Sequence, residues 1–209
     1  SNPLTFINNM DSFSIKTEGL SKTFNKTNAL DGVSIDFSAG LLHGLIGSDG
    51  AGKTTMLRLL AGLLKPSAGK VSYSSGVAEL PFADARPGLA YMPQAASLYP
   101  DLSVTEHLEF FRERYRLDDA VFARRSAELL EITRLEKFAE RRAGLLSGGM
   151  YKKLGLMYAL LRSPSVLLLD EPTNGVDPIS RREFWELLYG LAADKILIIV
   201  STAYMDEAE

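Results

Sequence analysis

A glycine-rich segment that joins an apolar run to a helical pattern dictates the local fold of this chain. Residues 47–55 read Gly-Ser-Asp-Gly-Ala-Gly-Lys-Thr-Thr, which is the pattern G-x-x-x-x-G-K-[ST] with a second threonine behind it. Residues 41–46 form a short apolar run that predicts a buried strand, and residues 56–62 predict a helix that a glycine ends. A strand, a glycine-rich turn and a helix in this order direct the helix N-terminus at an anion.

This pattern also predicts the chemistry of the turn. The glycines let backbone N–H groups surround phosphate oxygens, Lys53 reaches the β- and γ-phosphates, and the Thr54 hydroxyl is placed to ligate Mg²⁺. The segment therefore predicts a nucleoside triphosphate site. Its candidate contacts are Gly47, Ser48, Asp49, Gly50, Ala51, Gly52, Lys53, Thr54 and Thr55.

Two neighbouring carboxylates follow a second apolar run. Residues 166–169 are apolar, and Asp170 and Glu171 come directly after them. A strand end beside a phosphate loop is where Mg²⁺ needs an acidic partner, and Asp170 suits that role directly or through water. Glu171 projects differently and is a candidate to orient or deprotonate an attacking water. Taken alone, the pair is explained more simply as an acidic opening of the turn before Pro172.

The rest of the chain predicts an α/β fold. Residues 12–46 read as short strands and turns, and residues 103–142 read as helices that begin at a capping box of Ser103 and Glu106. Strands that alternate with helices predict a parallel sheet. The alternating segments are helices at 148–163 and 178–192 and strands at 165–169 and 195–200.

Composition excludes several classes of protein. The 209 residues carry a formal net charge of −3, whereas a generic nucleic-acid binder is usually basic. The chain has no cysteine, so it has neither a disulfide framework nor a thiolate metal site. No apolar run approaches the ~20 residues of a membrane-spanning helix. Residues 204–209 open a helix at which the chain stops, so we expect a fragment of a longer protein.

A second anion-binding turn is predicted near residue 147. Ser147, Gly148 and Gly149 precede a helix from Tyr151 to Arg162, so a hydroxyl and bare N–H groups lie at a helix N-terminus. Two phosphate cradles at this separation in one chain make sense if the second serves a nucleotide that a partner binds.

The order of these motifs resembles the nucleotide-binding domain of an ABC ATPase. The phosphate loop, Gln94, the Leu-Ser-Gly-Gly of residues 146–149, the carboxylate pair and Ser201-Thr202 carry the resemblance, which covers nearly all of the chain from about residue 13. It implies an α/β fold with a P-loop NTPase core and parallel sheet, an N-terminal antiparallel β subdomain and a helical subdomain.

The same resemblance implies domain boundaries. The whole chain, 1–209, would be one ABC ATPase domain. The core and the β subdomain would comprise 12–93 and 164–209, and the helical subdomain would comprise 95–163.

The resemblance further implies roles for single residues. Phe24 matches the aromatic residue that stacks on adenine. Gln94 matches the residue that joins the two lobes and touches Mg²⁺ and the lytic water, so Glu171 and Gln94 are the expected catalytic residues. Thr54, Gln94 and Asp170 are the expected Mg²⁺ ligands, and ATP and Mg²⁺ are the expected cofactors.

Family resemblance also implies partners. Such domains pair head to tail, so Ser147, Gly148 and Gly149 would contact the nucleotide of a second ABC ATPase domain, in the same longer chain. Residues 95–163 would couple to a transmembrane permease at the cytoplasmic face of the membrane, and no nucleic acid is expected. Residues 146–155 and 204–209 are most similar to the first domain of tandem drug and antibiotic exporters, which implies an ATPase for efflux of drugs or similar small molecules.

Three positions depart from the family pattern. Ala203 stands where the family has a histidine that contacts the γ-phosphate, and losing one such donor costs ~10²–10³ in rate. Met150 replaces a usual glutamine, and Asp49 would repel phosphate unless it points away. Because Ala203 lacks this donor, we expect slow hydrolysis at this chain's own site. Two alternatives stay open: a regulatory half that binds nucleotide without hydrolysis, and a soluble ABC ATPase that acts on the ribosome.

Overall fold

The computed structural model describes residues 12–95 and 98–203, in which the strands form two four-stranded sheets. The strands are β1 (Phe13–Phe24), β2 (Thr27–Ser38), β3 (Leu42–Ile46), β4 (Ala68–Ser75), β5 (Ala78–Leu80), β6 (Leu89–Met92), β7 (Val166–Asp170) and β8 (Leu197–Thr202). The helices are α1 (Lys53–Leu60), α2 (Phe82–Ala85), α3 (Val104–Tyr115), α4 (Asp119–Thr133), α5 (Gly148–Leu160) and α6 (Pro178–Ala193).

One sheet is entirely parallel and has the order β3-β8-β7-β6. Every residue of β7 and β8 is buried, as expected for a parallel sheet that is covered on both faces. The register pairs Ile46 with Thr202 and Asp170 with Ser201, so the carboxyl ends of β3, β7 and β8 meet at one edge. Ligands of open α/β sheets bind outside this edge.

Alternate residues of β7 and β8 enter two separate hydrophobic cores, because successive side chains of a strand point to opposite faces. One core contains α1 and the inner side of the antiparallel sheet, and the other contains α3, α4, α5 and α6. The strand residues in the first core are Val166, Leu168, Leu197 and Ile199, and those in the second are Leu167, Leu169, Ile198 and Val200.

The second sheet is antiparallel, with the order β2-β1-β4-β5. The sequence predicted several short strands in 12–46, and this was wrong in length, since β1 and β2 each span 12 residues. Gly19 and Gly32 have positive φ angles of 56° and 64°, and the β1–β2 register shifts on both sides of Leu20. Glycines here form irregularities inside long strands and do not end them.

The predicted helices and parallel strands are confirmed, with ends that differ by up to three residues. The capping box is present, since Ser103 Oγ accepts from the Glu106 N–H at 3.1 Å and Glu106 Oε2 accepts from the Ser103 N–H at 2.7 Å. The α/β class with its parallel and antiparallel sheets is confirmed, whereas the domain boundaries stay a prediction. The helix predicted at 204–209 lies outside the described residues. Within the described ranges, every helix is too short or too polar to cross a membrane.

Candidate nucleotide site

The glycine-rich turn connects β3 to α1 as predicted. Gly50 and Gly52 have φ angles of 81° and 90°, which only glycine adopts without strain. A Cβ on Gly52 would lie 2.3 Å from the carbonyl oxygen of Ala29 in β2, so the turn also needs glycine for space. Gly52 is the N-cap of α1 and supplies no side-chain cap, so the first N–H groups of the helix are left for a ligand.

The Lys53 ammonium lies beneath this turn. The residue is 8% exposed, and its Nζ donates to the carbonyl oxygens of Gly47 at 2.6 Å and Ser48 at 3.0 Å. Its ion-pair partner is Glu171, whose Oε1 is 3.4 Å away. A buried cation of this kind needs such partners, and it is positioned to attract an anion that enters the turn.

Asp170, at the end of β7, is held by three hydroxyl groups. Its Oδ1 accepts from Thr54 Oγ1 at 2.9 Å and from Ser201 Oγ at 2.8 Å, and its Oδ2 accepts from Tyr91 OH at 3.2 Å. Burial raises the pKa of the Tyr91 hydroxyl, which therefore stays protonated and donates. Asp170 and Thr54, both predicted as Mg²⁺ ligands, are thus in contact, while their role as ligands stays a prediction. Three donors compensate a carboxylate that is 1% exposed.

Glu171 adopts an unusual backbone conformation that directs its side chain to the phosphate loop. Its φ angle is 44°, and its N–H donates to both the Oγ and the carbonyl oxygen of Ser201, at 2.9 and 3.1 Å. Its Oε2 accepts from Gln94 Nε2 at 2.8 Å and from Asn174 Nδ2 at 3.3 Å. Asp170 and Glu171 therefore project to different sides, one towards Thr54 and the other towards Lys53 and Gln94.

Lys53, Thr54, Gln94 and Glu171 border a pocket of about 350 Å³. Its lining combines most of the predicted loop with both predicted catalytic residues. The lining residues are Ala29, Asp49, Gly50, Ala51, Gly52, Lys53, Thr54, Thr55, Gln94 and Glu171. Asp49 is exposed and Lys53 is buried, so the lining carries one solvent-accessible carboxylate and one buried ammonium.

Two predicted contacts lie apart from this pocket. Phe24 ends β1, is 44% exposed and has the Lys22 ammonium 5.1 Å from its ring centroid. Ser147 caps α5 by accepting from the Met150 N–H at 3.3 Å. Among the described residues that line the pocket, neither Phe24 nor any residue of 147–149 is included. Their roles as adenine contact and as a cradle for another nucleotide stay predictions.

The structure adds residues that the sequence did not assign to the site. Ser201 Oγ donates to the Asp170 carboxylate and accepts from the Glu171 N–H, and Tyr91 OH donates to Asp170. Ser201 belongs to a motif that carried the resemblance but had no role assigned to it, and a tyrosine in a strand carries no signal of such a role. Lys152 of α5 donates from Nζ to the Gln94 carbonyl oxygen at 2.7 Å. Ala203 follows β8 directly and lies near the loop, since the Gly47 N–H donates to the Thr202 carbonyl oxygen at 3.4 Å.

The oxygen atoms at this site fit Mg²⁺ when phosphate is also present. Among the described residues, no cluster of three or more histidine, cysteine, aspartate or glutamate side chains could hold a metal ion without other ligands. Mg²⁺ in proteins is usually bound by one or two carboxylates together with waters and substrate phosphates. Thr54 Oγ1 and Asp170 Oδ1, which are 2.9 Å apart, meet that requirement.

A parallel sheet whose first strand leads through a glycine-rich turn into a helix, with an acidic strand end beside it, defines the P-loop class of nucleoside triphosphatases. The sequence profile of the family described as "ABC transporter" matches residues 30–174. The chain belongs to this family, as an ABC transporter ATP-binding domain.

The chain is similar to several curated relatives. It is 45% identical over 197 residues to the probable multidrug ABC transporter ATP-binding protein YbhF of Escherichia coli (strain K12), a match that covers 93% of this chain and 34% of that protein. It is 38% identical over 195 residues to the Nod factor export ATP-binding protein I of Ralstonia nicotianae, with 93% and 61% covered. This chain therefore spans about a third of the first relative and three-fifths of the second.

Solved structures agree with this family. An ATP-binding cassette of an ABC transporter in its ADP conformation matches with a TM-score of 0.81 and 25% identity, over 94% of this chain and 83% of that one. An ATP-binding subunit of an ABC transporter matches with a TM-score of 0.76 and 30% identity, over 93% and 81%.

Proposed function

We propose that this chain binds Mg-ATP at the phosphate loop and serves as the ATPase domain of an export transporter. The observation that carries the proposal is the convergence of Lys53, Thr54, Glu171 and Gln94 on one pocket beside the glycine-rich turn, where Thr54 is hydrogen-bonded to Asp170. Relatives that are named for multidrug transport and Nod factor export support the efflux of drugs or similar small molecules. They do not favour a soluble role at the ribosome.

In the proposed complex, the triphosphate lies in the turn of residues 47–55. Backbone N–H groups at the start of α1 bind its oxygens, and Lys53 exchanges the carbonyl oxygens that it now contacts for the β- and γ-phosphates. Phe24 stacks on the adenine. Asp49 turns its carboxylate to solvent, which its exposed position allows.

Thr54, Asp170 and Gln94 would hold Mg²⁺. When bound, the ion neutralises charge on the phosphates. Asp170 is already oriented by its hydroxyl donors, so its carboxylate needs little rearrangement. Glu171 orients or deprotonates the attacking water, and Gln94, hydrogen-bonded to it at 2.8 Å, positions that water.

The domain works as half of a pair. Ser147, Gly148 and Gly149 lie at the N-terminus of α5, where bare N–H groups suit the phosphate of a second ABC ATPase domain that is paired head to tail. A partner domain within one longer chain is supported by the relative of which this chain spans 34%. The pair acts on a transmembrane permease at the cytoplasmic face of the membrane.

This chain's own site hydrolyses ATP slowly. Ala203 lies beside the start of the loop, where the family histidine would donate to the γ-phosphate, and a methyl group makes no such bond. The loss of one preorganised donor lowers the rate by a factor of ~10²–10³. Binding of ATP does not depend on this donor, so the site holds ATP for longer than the partner's site does.

Replacement of the loop lysine tests the proposal. Lys53→Ala removes the buried ammonium that, among the described lining residues, is alone at the pocket, and we expect binding of a fluorescent ATP analogue in Mg²⁺ buffer to be lost. Lys65→Ala is the matched control, because Lys65 is an exposed lysine near the end of α1 and does not line the pocket. Equal affinity of Lys53→Ala and wild type would refute the assignment of this pocket to ATP.

A further inference from the structure

We propose that Lys152 is a positioning residue for Gln94: its ammonium group holds the Gln94 backbone and thereby fixes the side-chain amide that faces Glu171. The inference rests on the function proposed above. Lys152 Nζ donates to the Gln94 carbonyl oxygen at 2.7 Å, and the Gln94 amide donates to Glu171 at 2.8 Å. The three residues come from α5, from the chain after β6 and from the end of β7, so Lys152 joins three segments that are distant in sequence.

The preceding residue of α5 makes a second attachment to the same region. The Leu98 N–H donates to Tyr151 OH at 3.2 Å. Gln94 and Leu98 are thus both bound to consecutive residues near the start of α5. Gln94 lies two residues beyond the end of β6 and is exposed, so the strand alone does not fix its position. The hydrogen bond from Lys152 restrains Gln94, and the one to Tyr151 restrains Leu98.

Lys152 is not an ordinary surface lysine. Its side chain is partly buried, and its ammonium group donates to a backbone oxygen in the segment after β6. The next residue, Lys153, points elsewhere and pairs with Glu183 of α6 at 2.6 Å. The two adjacent lysines therefore have separate partners. Lys152 contacts Gln94, which lines the pocket, and Lys153 joins α5 to α6.

The Lys152 contact contributes to catalysis by orienting Gln94. A misplacement of about 1 Å in a catalytic group can cost roughly 10² in rate. Gln94 keeps its contact with Glu171 when the ammonium is lost, so the expected effect is smaller. The contact does not reach the phosphate loop, and ATP affinity should be unaffected.

A set of four variants tests this role in the whole chain. We expect Lys152→Met to lower the single-turnover rate of Mg-ATP hydrolysis by about tenfold and to leave the ATP Kd within about twofold, because only orientation is lost. Lys152→Arg should restore the rate to within about threefold, since a guanidinium also donates to a carbonyl. Lys153→Met, the neighbouring lysine without a pocket contact, is the matched control and should keep the wild-type rate. Tyr151→Phe should lower the rate less than Lys152→Met does.

A double-mutant cycle with Gln94→Ala separates positioning from general destabilisation. Lys152→Met should lower the rate no further in the Gln94→Ala background, because residues that act through one another are not additive. An equal loss in both backgrounds, or a wild-type rate for Lys152→Met, would overturn the inference. If the wild type binds no Mg-ATP, the proposed function fails as well. If the wild type binds Mg-ATP and hydrolyses it at a slow but measurable rate that Lys152→Met leaves unchanged, only this inference fails.

Discussion

Gly52 and Gly50 provide a matched pair of substitutions that tests why the phosphate loop needs glycine. Both residues have left-handed backbone conformations, with φ angles of 90° and 81°. A Cβ on Gly50 would meet no heavy atom within 4 Å, whereas a Cβ on Gly52 would lie 2.3 Å from the Ala29 carbonyl oxygen. Alanine therefore introduces the same backbone strain at both positions and a collision at only one of them.

The expected losses of ATP affinity follow from the backbone strain and from the collision with Ala29. An L-residue in the left-handed region costs about 1–2 kcal/mol, and this applies to both variants. Cβ atoms essentially never approach closer than 3.0 Å, so in Gly52→Ala the main chain must move by a further 0.7 Å, the difference between 3.0 and 2.3 Å. Ala29 lies in β2 between two residues that pair with β1, so we expect α1 to give way and Lys53 to move with it.

Titration with a fluorescent ATP analogue measures the outcome. We expect Gly50→Ala to weaken ATP binding by no more than about thirtyfold, since a strain of about 1–2 kcal/mol corresponds to about five- to thirtyfold at 1.4 kcal/mol per factor of ten. Gly52→Ala should weaken it by at least roughly a hundredfold, because its strain is joined by displacement of the groups that bind phosphate. Melting temperatures monitor folding of both variants. Equal affinities for the two variants would refute the reasoning that close approach to Ala29 requires Gly52.

Three further predictions concern the proposed slow site, the partner's site and a charged contact. Ala203→His should raise ATP turnover in a reconstituted pair by roughly 10² or more, and brisk turnover by the isolated wild type would contradict the reasoning. Ser147→Arg should block hydrolysis at the second domain's site in the full-length protein, and no effect would mean that this turn is not used across the pair. The hydrogen bond from Lys153 lowers the pKa of Glu183 from 4.5, so its stabilising effect is present above pH 4.5 and is lost as the pH falls below it. Melting curves of Glu183→Gln should therefore lose part of the wild-type decline in acid, and those of Glu186→Gln, on the same helix α6, should not.

The loop and the carboxylate pair could be predicted from the sequence because their chemistry depends on local spacing. The glycines, Lys53 and Thr54 are placed by a single strand-turn-helix unit, and Asp170 follows from the end of an apolar run. Ser201 could not be assigned in the same way. It reaches Asp170 only because β7 and β8 are neighbours in a register that pairs these two residues. Such a register depends on the whole sheet, so the sequence of neither strand predicts it.

The backbone conformation of Glu171 could not be predicted from the sequence either. A glutamate after a strand gives no sign that its φ angle will be 44°, yet this angle is what turns Glu171 away from Asp170 and towards Lys53. The N–H of Glu171 compensates through two contacts with Ser201. A strained residue held by its surroundings is a feature of functional sites, so the exception to local preference occurs where the proposed chemistry needs it.

Helix α5 connects the two halves of the proposed function. It begins beside Ser147, which is proposed to meet the second domain's nucleotide, and Lys152 in its second turn contacts the segment that carries Gln94. Because a helix moves as a rigid element, a displacement at Ser147 that occurs when the domains pair would be carried to Gln94 and from there to Glu171, 2.8 Å away. The hydrogen bonds among these residues provide a short physical route between the pair interface and the water-activating carboxylate. Loss of the Lys152 contact should then weaken the dependence of hydrolysis on pairing, which a comparison of Lys152→Met and wild type with and without the second domain measures.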